Sequence, residues 1–120
     1  MTRRRLPARR KCVTVAARVA GFRVYVSTGE YPDGTVGELF VTVAKVGSPL
    51  RTMIEEWSVT FSIALQHGTP LRTLVAAALG RQGEPRGMVE GGGPIRECTS
   101  LTDYVVQVLG GLYPGEAGQA

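Results

Sequence analysis

"FRVYVSTGEYPDGTVGELFVTVAK", Phe22 to Lys45, decides the fold. Its first seven residues alternate, with Phe22, Val24 and Val26 on one side and Arg23, Tyr25 and Ser27 on the other. From Glu38 onward the alternation returns, with Leu39, Val41 and Val43 facing one way. A period of two marks half-buried strands. Between them stands Pro32-Asp33-Gly34, a strong turn signal: proline fixes φ, and Asp-Gly tolerates the left-handed region. Gly37 permits a second bend. Upstream, "CVTVAARV" (Cys12–Val19) is rich in β-branched residues and reads as another strand, joined through the tight turn Ala20–Gly21. The short connections predict an antiparallel meander.

Downstream the period changes. Ser48 offers an N-cap and Pro49 a first helical position. Leu50, Met53, Ile54, Trp57, Phe61, Ala64 and Leu65 then follow at helical spacing. Val59 and Ile63 add apolar surface on a second side, so this helix is expected to have neighbours on more than one side. Thr69 and Pro70 repeat the start signal for a second helix that runs to Gly80. "GRQGEPRGMVEGGGP" (80–94) reads as a loop, with Gly91–Gly93 a flexible hinge. Thr99 or Ser100 caps a third helix, which Gly110–Gly111 end. The fold class is α+β: a three-stranded antiparallel β-meander followed by three helices packed on one face. A basic arm, 1–11, precedes a single domain, 12–113, and a flexible tail, 114–120. Three strands are few, so a homodimer that extends the sheet or buries the second side of the long helix is expected.

The charge is uneven. The net charge is +4, but Arg3, Arg4, Arg5, Arg9, Arg10 and Lys11 put +6 into the first eleven residues. The remainder carries 8 basic against 10 acidic side chains. Such an arm suits phosphates or an acidic partner, or it is a solvated tail. The length of 120 residues is too short for a barrel enzyme. No run is long enough to span a membrane, and no apolar segment of a secretory signal follows the arm. Cys12 and Cys98 read as reduced thiols in a cytoplasmic chain, and with one histidine they cannot complete a conventional zinc site.

Glu30, Asp33 and Glu38 surround the turn at Pro32–Gly34. Three carboxylates suit a hard cation, but their spacing matches no EF-hand loop. The turn itself explains them first, a contact with a partner or nucleotide second, and a metal last. The glycine-rich loop lacks the Gly-Lys-Ser/Thr ending of a phosphate cradle. His67 suits the C-terminus of the long helix, where the macrodipole favours a cation. Ser58 and Ser62 form no triad with it, and no nucleophile elbow is present. Cys98, just before a helix N-terminus, is the better candidate for a reactive thiol, against a buried small residue. These residues support a binding or assembly module and make no catalytic constellation. An independent small enzyme would have to complete its site, through Cys98 or the acidic turn, at a dimer interface.

Five stretches occur in a telling order: "LPARR", "GFRVYVSTGEYPDGTVGELFVTVAKVGS", "SIALQHGTPLRTLV", "GEPRG" and "TSLTDYVVQVL". Together they resemble the TSCPD-type domain near the C-terminus of adenosylcobalamin-dependent ribonucleotide reductases, from roughly Leu6 to Leu112. Leu6, Pro7, Arg10, Gly21 and Tyr25 match that pattern, as do Tyr31, Asp33, Gly34, Gly37 and Glu38. So do Lys45, Gly47 and Ser48, then Ser62, Leu65, Gln66, Gly68, Pro70 and Leu71, then Glu84, Pro85, Gly87, Ser100, Asp103 and Tyr104. Against the pattern, His67 stands where an aromatic is common and Cys98 where a small residue is usual.

The resemblance implies a stand-alone, non-catalytic accessory or binding module linked to deoxyribonucleotide synthesis and DNA replication. The catalytic barrel, its redox cysteines, the cysteine-rich tail and the cobalamin site of such reductases have no counterpart in these residues. Adenosylcobalamin is therefore expected only in the related full-length reductases, and neither a cofactor nor a metal in this chain. The implied contact surface, for a reductase catalytic chain or a nucleotide, is Tyr31, Asp33, Gly34, Glu38, Gln66 and Asp103. The alternative is a nucleic-acid-binding protein anchored by Arg3, Arg4, Arg5, Arg9, Arg10 and Lys11. Against it stand the net acidic body and aromatics (Phe22, Phe40, Trp57, Phe61) placed mostly on expected core faces.

Overall fold

A computed structural model of the chain describes residues 2–44, 48–91 and 93–118. The meander is present as β1 (Cys12–Val19), β2 (Phe22–Glu30) and β3 (Val36–Val43), all antiparallel. Ala20 and Gly21 both take positive φ (49° and 86°) in the two-residue loop between β1 and β2. That conformation matches the twist of the flanking strands. β2 and β3 bury the residues that alternation places inward: Val24, Val26, Leu39, Val41 and Val43. Phe22 and Phe40 are exposed at 38% and 46%, which corrects their placement in the core. Phe22 has the inward parity but lies at the strand's end, whereas Phe40 has the outward parity.

Three helices follow: α1 (Pro49–Gln66), α2 (Leu71–Ala78) and α3 (Leu101–Leu112). The Ser48 hydroxyl caps α1 by accepting the Arg51 N–H at 3.1 Å. Pro70 rather than Thr69 stands at the cap of α2, with no side-chain cap bond. Ser100 caps α3, and Gly110–Gly111 lie inside its last turn instead of ending it. Tyr104, Val105, Val106 and Leu109 of α3 have no exposed surface, so α3 is the most deeply buried helix. The second side of α1 is not covered: Met53, Val59 and Ile63 are exposed, and the buried stripe runs through Ile54, Ser58, Phe61, Ser62, Leu65 and Gln66. Trp57 is half-buried against the Phe61 ring, with centroids 5.2 Å apart.

The α+β class stands, but the sheet is larger than a meander. The segment read as a loop contributes β4 (Gly87–Glu90), followed by β5 (Glu97–Cys98), and the strand order is β3-β2-β1-β4-β5. Strands of four and two residues are too short to show a period. Gly91 and Gly93 take positive φ in the turn between them, while Gly92 lies outside the described residues. Lys45 and Gly47, matched to the family pattern, also lie outside them.

The two sheet edges differ. α1 runs along β3, where the Ser62 hydroxyl accepts the Leu39 N–H and reaches the Leu39 carbonyl, both at 2.8 Å. The Gln66 amide donates to the Gly37 carbonyl at 3.0 Å. These bonds satisfy backbone groups of Gly37 and Leu39 that an edge strand would otherwise expose, so this part of the edge is closed to pairing with another chain. Among the described residues, no helix is long and apolar enough to cross a membrane.

Candidate functional site

The acidic turn and the basic arm meet. Between β2 and β3, Gly34 N–H donates to the Tyr31 carbonyl and Tyr31 N–H to the Thr35 carbonyl, both at 2.9 Å. Asp33 Oδ1 accepts from the Thr35 backbone at 3.0 Å and from its hydroxyl at 2.6 Å. Those bonds, the hydroxyl's first, hold the Asp33 carboxyl below its ordinary value. To this extent Asp33 and Gly34 are turn residues.

The arm then covers the turn. The Arg4 guanidinium lies 3.8 Å from the centroid of the Tyr31 ring and 3.8 Å from Asp33 Oδ2. Tyr31 donates its hydroxyl to the Arg4 carbonyl at 2.5 Å. Arg4 N–H donates to the Gln66 carbonyl at 2.7 Å, and Arg3 Nε to Gln66 Oε1 at 2.6 Å. Arg10 grips Glu38 with two bonds of 3.1 Å, the fork-to-fork geometry that suits guanidinium and carboxylate. The Lys11 carbonyl accepts from Glu30 N–H at 2.9 Å, which carries the β1–β2 ladder into the arm.

Tyr31, Asp33, Gly34, Glu38 and Gln66 therefore do come together, and what they hold is the chain's own arm. Gly37 does interrupt the ladder: Gly29 opposes Glu38 and Glu30 opposes Val36, so Gly37 is the extra residue of a bulge in β3. It lies in β3, where the Tyr31 ring packs so closely that a β-carbon would overlap it. Asp103 belongs elsewhere. Buried on α3, it accepts from Gly80 N–H at 2.8 Å, Thr99 N–H at 3.0 Å and the Gln107 amide at 2.8 Å. It ties the end of α2 and the end of β5 to α3. Of the arm's cations, Arg3, Arg4 and Arg10 are engaged by protein groups, which halves the set available to nucleic acid.

The segment expected to be a loose tail adds a neighbouring cluster. Residues 114–118 form turns with Ala117 buried, while 119 and 120 lie outside the described residues. The Tyr113 hydroxyl donates to Glu30 Oε2 at 2.7 Å, so its 2.8 Å partner Thr28 must be the donor to it. Burial, countered by the Thr28 bond and reinforced by Glu30, pushes the Tyr113 phenol up to about 12. Glu116 accepts the Val36 N–H at 3.1 Å. Burial raises its carboxyl above the ordinary 4.5 against that bond, with Asp33 and Glu30 adding repulsion. Tyr113 and Glu116 carried no signal in the sequence, since they sit among glycines without period.

Because the folded state binds Glu116's proton more tightly than the unfolded chain, its ionisation costs stability. That cost is absent below 4.5 and complete once the pH has risen through the folded value. Glu116→Gln keeps an acceptor for Val36. The variant is expected to melt at or above the wild-type temperature at pH 7, with the difference gone below pH 4.5; a lower melting temperature at pH 7 would contradict this.

Cys98 is 6% exposed in β5, and burial raises its thiol above the ordinary value. The buried small-residue reading prevails over the reactive thiol. Cys12 is exposed. Native protein is expected to take one equivalent of iodoacetamide, at Cys12, and two only when unfolded; rapid native labelling of Cys98 would contradict the structure. Among the described residues, no group of three or more histidine, cysteine, aspartate or glutamate side chains could hold a metal ion.

The TSCPD domain family matches residues 2–113. The chain is 41% identical over 113 residues to a vitamin B12-dependent ribonucleotide reductase of Agrobacterium fabrum, covering 94% of this chain and 9% of that protein. It is 41% identical over 111 residues to the protein of that name in Bradyrhizobium diazoefficiens, covering 92% and 9%. With the one in Streptomyces avermitilis it is 36% identical over 107 residues, covering 89% and 11%. The chain thus spans about a tenth of the length of these curated relatives. No solved structure matches it. With the match running from the arm through α3, the chain belongs to the TSCPD domain family.

Proposed function

We propose that this chain is a non-catalytic accessory or binding module of deoxyribonucleotide synthesis that acts with the catalytic chain of a vitamin B12-dependent ribonucleotide reductase. The observation that carries this reading is the likeness to such reductases along nine-tenths of the chain. The geometry supports a binding role: Tyr31, Asp33, Glu38 and Gln66 are engaged in holding a structured arm rather than arranged around a reacting atom. The arm and turn form the contact surface, on which Arg4 and Asp33 remain accessible, at 59% and 55% side-chain exposure. Adenosylcobalamin belongs to the reductase in this reading, and this chain binds none.

The test is co-elution of the purified chain with a separately expressed vitamin B12-dependent reductase, beside a reductase assay with and without the chain. Wild type is expected to co-elute, and Asp33→Ala combined with Glu38→Ala to do so at least tenfold less. The absence of co-elution together with no change in reductase activity would remove the proposal.

A further inference from the structure

β1 pairs with β2 along its whole length, but its other side meets β4 only at Arg18 and Val19. Two bonds fix which backbone groups point outward. The Lys11 carbonyl serves β2 through Glu30, and Ala20 N–H serves β4 through Met88. In an antiparallel ladder the sides alternate, so Cys12, Thr14 and Ala16 direct their N–H and C=O away from β2. Among the described residues, no strand pairs with those three. The far edge, β3, is capped at Leu39 and Gly37 by Ser62 and Gln66, whereas among the described residues this one has no proline, bulge or bond from a helix side chain. The side chains of Cys12, Thr14 and Ala16 are small and exposed.

The open edge ends in a groove of about 400 Å³ lined by Ala16, Ala17, Arg18, Arg23, Glu90 and Gly91. Arg18 and Arg23 are register partners and both exposed; Glu90 of β4 stands opposite Arg18 on its other side, but among the described residues neither arginine has a carboxylate within ion-pair distance. Like charges set opposite each other destabilise a sheet unless something answers them. Arg9 and Lys11, also exposed, stand at the other end. One end thus sets two arginines against Glu90; at the other, Arg9 and Lys11 share a groove with Glu30 and Asp33, which are already bonded to Tyr113 and to Thr35 and Arg4, so both ends keep a cationic balance.

We propose that the β1 edge receives an extended acidic peptide segment of a partner protein. The segment adds a strand at Cys12, Thr14 and Ala16 and places a carboxylate between Arg18 and Arg23. The pairing groups and the Arg18–Arg23 pair lie apart from the arm-covered turn, and the proposal does not depend on the reductase reading.

The probe is a fluorescein-labelled peptide, Thr-Val-Asp-Val-Glu-Val-Thr-amide, titrated onto the full chain by anisotropy, with its Asn/Gln counterpart and an N-methylated version beside it. The acidic peptide is expected to bind at least tenfold more tightly than either. Arg18→Gln with Arg23→Gln, both at exposed positions, should weaken it tenfold or more. Hydrogen exchange should show new protection at Thr14 and Ala16 and none at Val13 or Val15, whose amides already face β2. Equal binding of the uncharged peptide, protection elsewhere, or no binding would overturn the proposal. So would protection of Thr14 and Ala16 by self-association alone in sedimentation runs without peptide.

Discussion

Asp103→Ala is expected to lower the stability of the folded chain by about 3 kcal/mol, since it orphans two backbone donors at roughly 1–3 kcal/mol each. The donors are the N–H groups of Gly80 and Thr99, and the Gln107 amide loses its partner as well. Ser100 keeps its own bond to the residue-103 N–H, so the cap of α3 survives and the loss is local to the junction. Asp103→Asn, which retains an acceptor oxygen, should lose less. Urea unfolding followed by circular dichroism measures both, and a loss under about 1 kcal/mol for the alanine variant would mean that the carboxylate is not the tie described. Acid gives a second check. Burial pushes the Asp103 carboxyl up, but the bonds from Gly80, Thr99 and Gln107 outweigh it and hold it below the ordinary 3.8. The unfolded chain therefore takes up this proton first. The stability that Asp103 contributes is complete above 3.8 and is lost as the pH falls through the folded value, and Asp103→Asn should remove that dependence.

Gly37→Ala is expected to cost about 2–3 kcal/mol, the upper part of the range for overpacking. A methyl group there would overlap Cε2 and Cζ of the Tyr31 ring. The ring has little freedom to retreat, because the Arg4 guanidinium covers its face and its hydroxyl is bonded to the Arg4 carbonyl. The damage should therefore reach the arm: in NMR spectra, Arg4 should lose the ring-current shift that an aromatic face imposes. Gly83→Ala is the control, since a β-carbon at Gly83 meets nothing within 4 Å. Equal stability of the two variants would show that Tyr31 does not rest on Gly37.

Much of the architecture was legible because it follows from periods. Alternation at Phe22–Ser27 and Leu39–Val43 gave two strands and their buried face, and Ser48-Pro49 gave the start of α1. What was hidden was set by tertiary partners. Ser58, Ser62 and Gln66 interrupt the apolar pattern of α1, yet they are buried, two of them because they bond the β3 edge. Met53 fits the apolar pattern but faces solvent. β4 and β5 are too short to announce themselves and form because β1 and α3 offer them neighbours.

The candidate site divides in the same way. Tyr31, Asp33, Gly34, Glu38 and Gln66 were drawn together by family likeness, and the structure brings them together. That the arm would fill them could not be read from a run of arginines, because a charge run names a sign and not a partner. Asp103 looked the same in sequence, an acid at a helix start, and serves as an internal tie.

That the acidic turn is where the chain's own arm docks is tested most directly by amide hydrogen exchange at Arg4, whose N–H reaches the Gln66 carbonyl at 2.7 Å. The account predicts that Arg4 exchanges roughly tenfold or more slowly than an unstructured arginine amide. It also predicts that Asp33→Ala with Glu38→Ala removes much of this protection. Exchange at the unstructured rate in the wild-type chain would contradict it and return the arm to solvent.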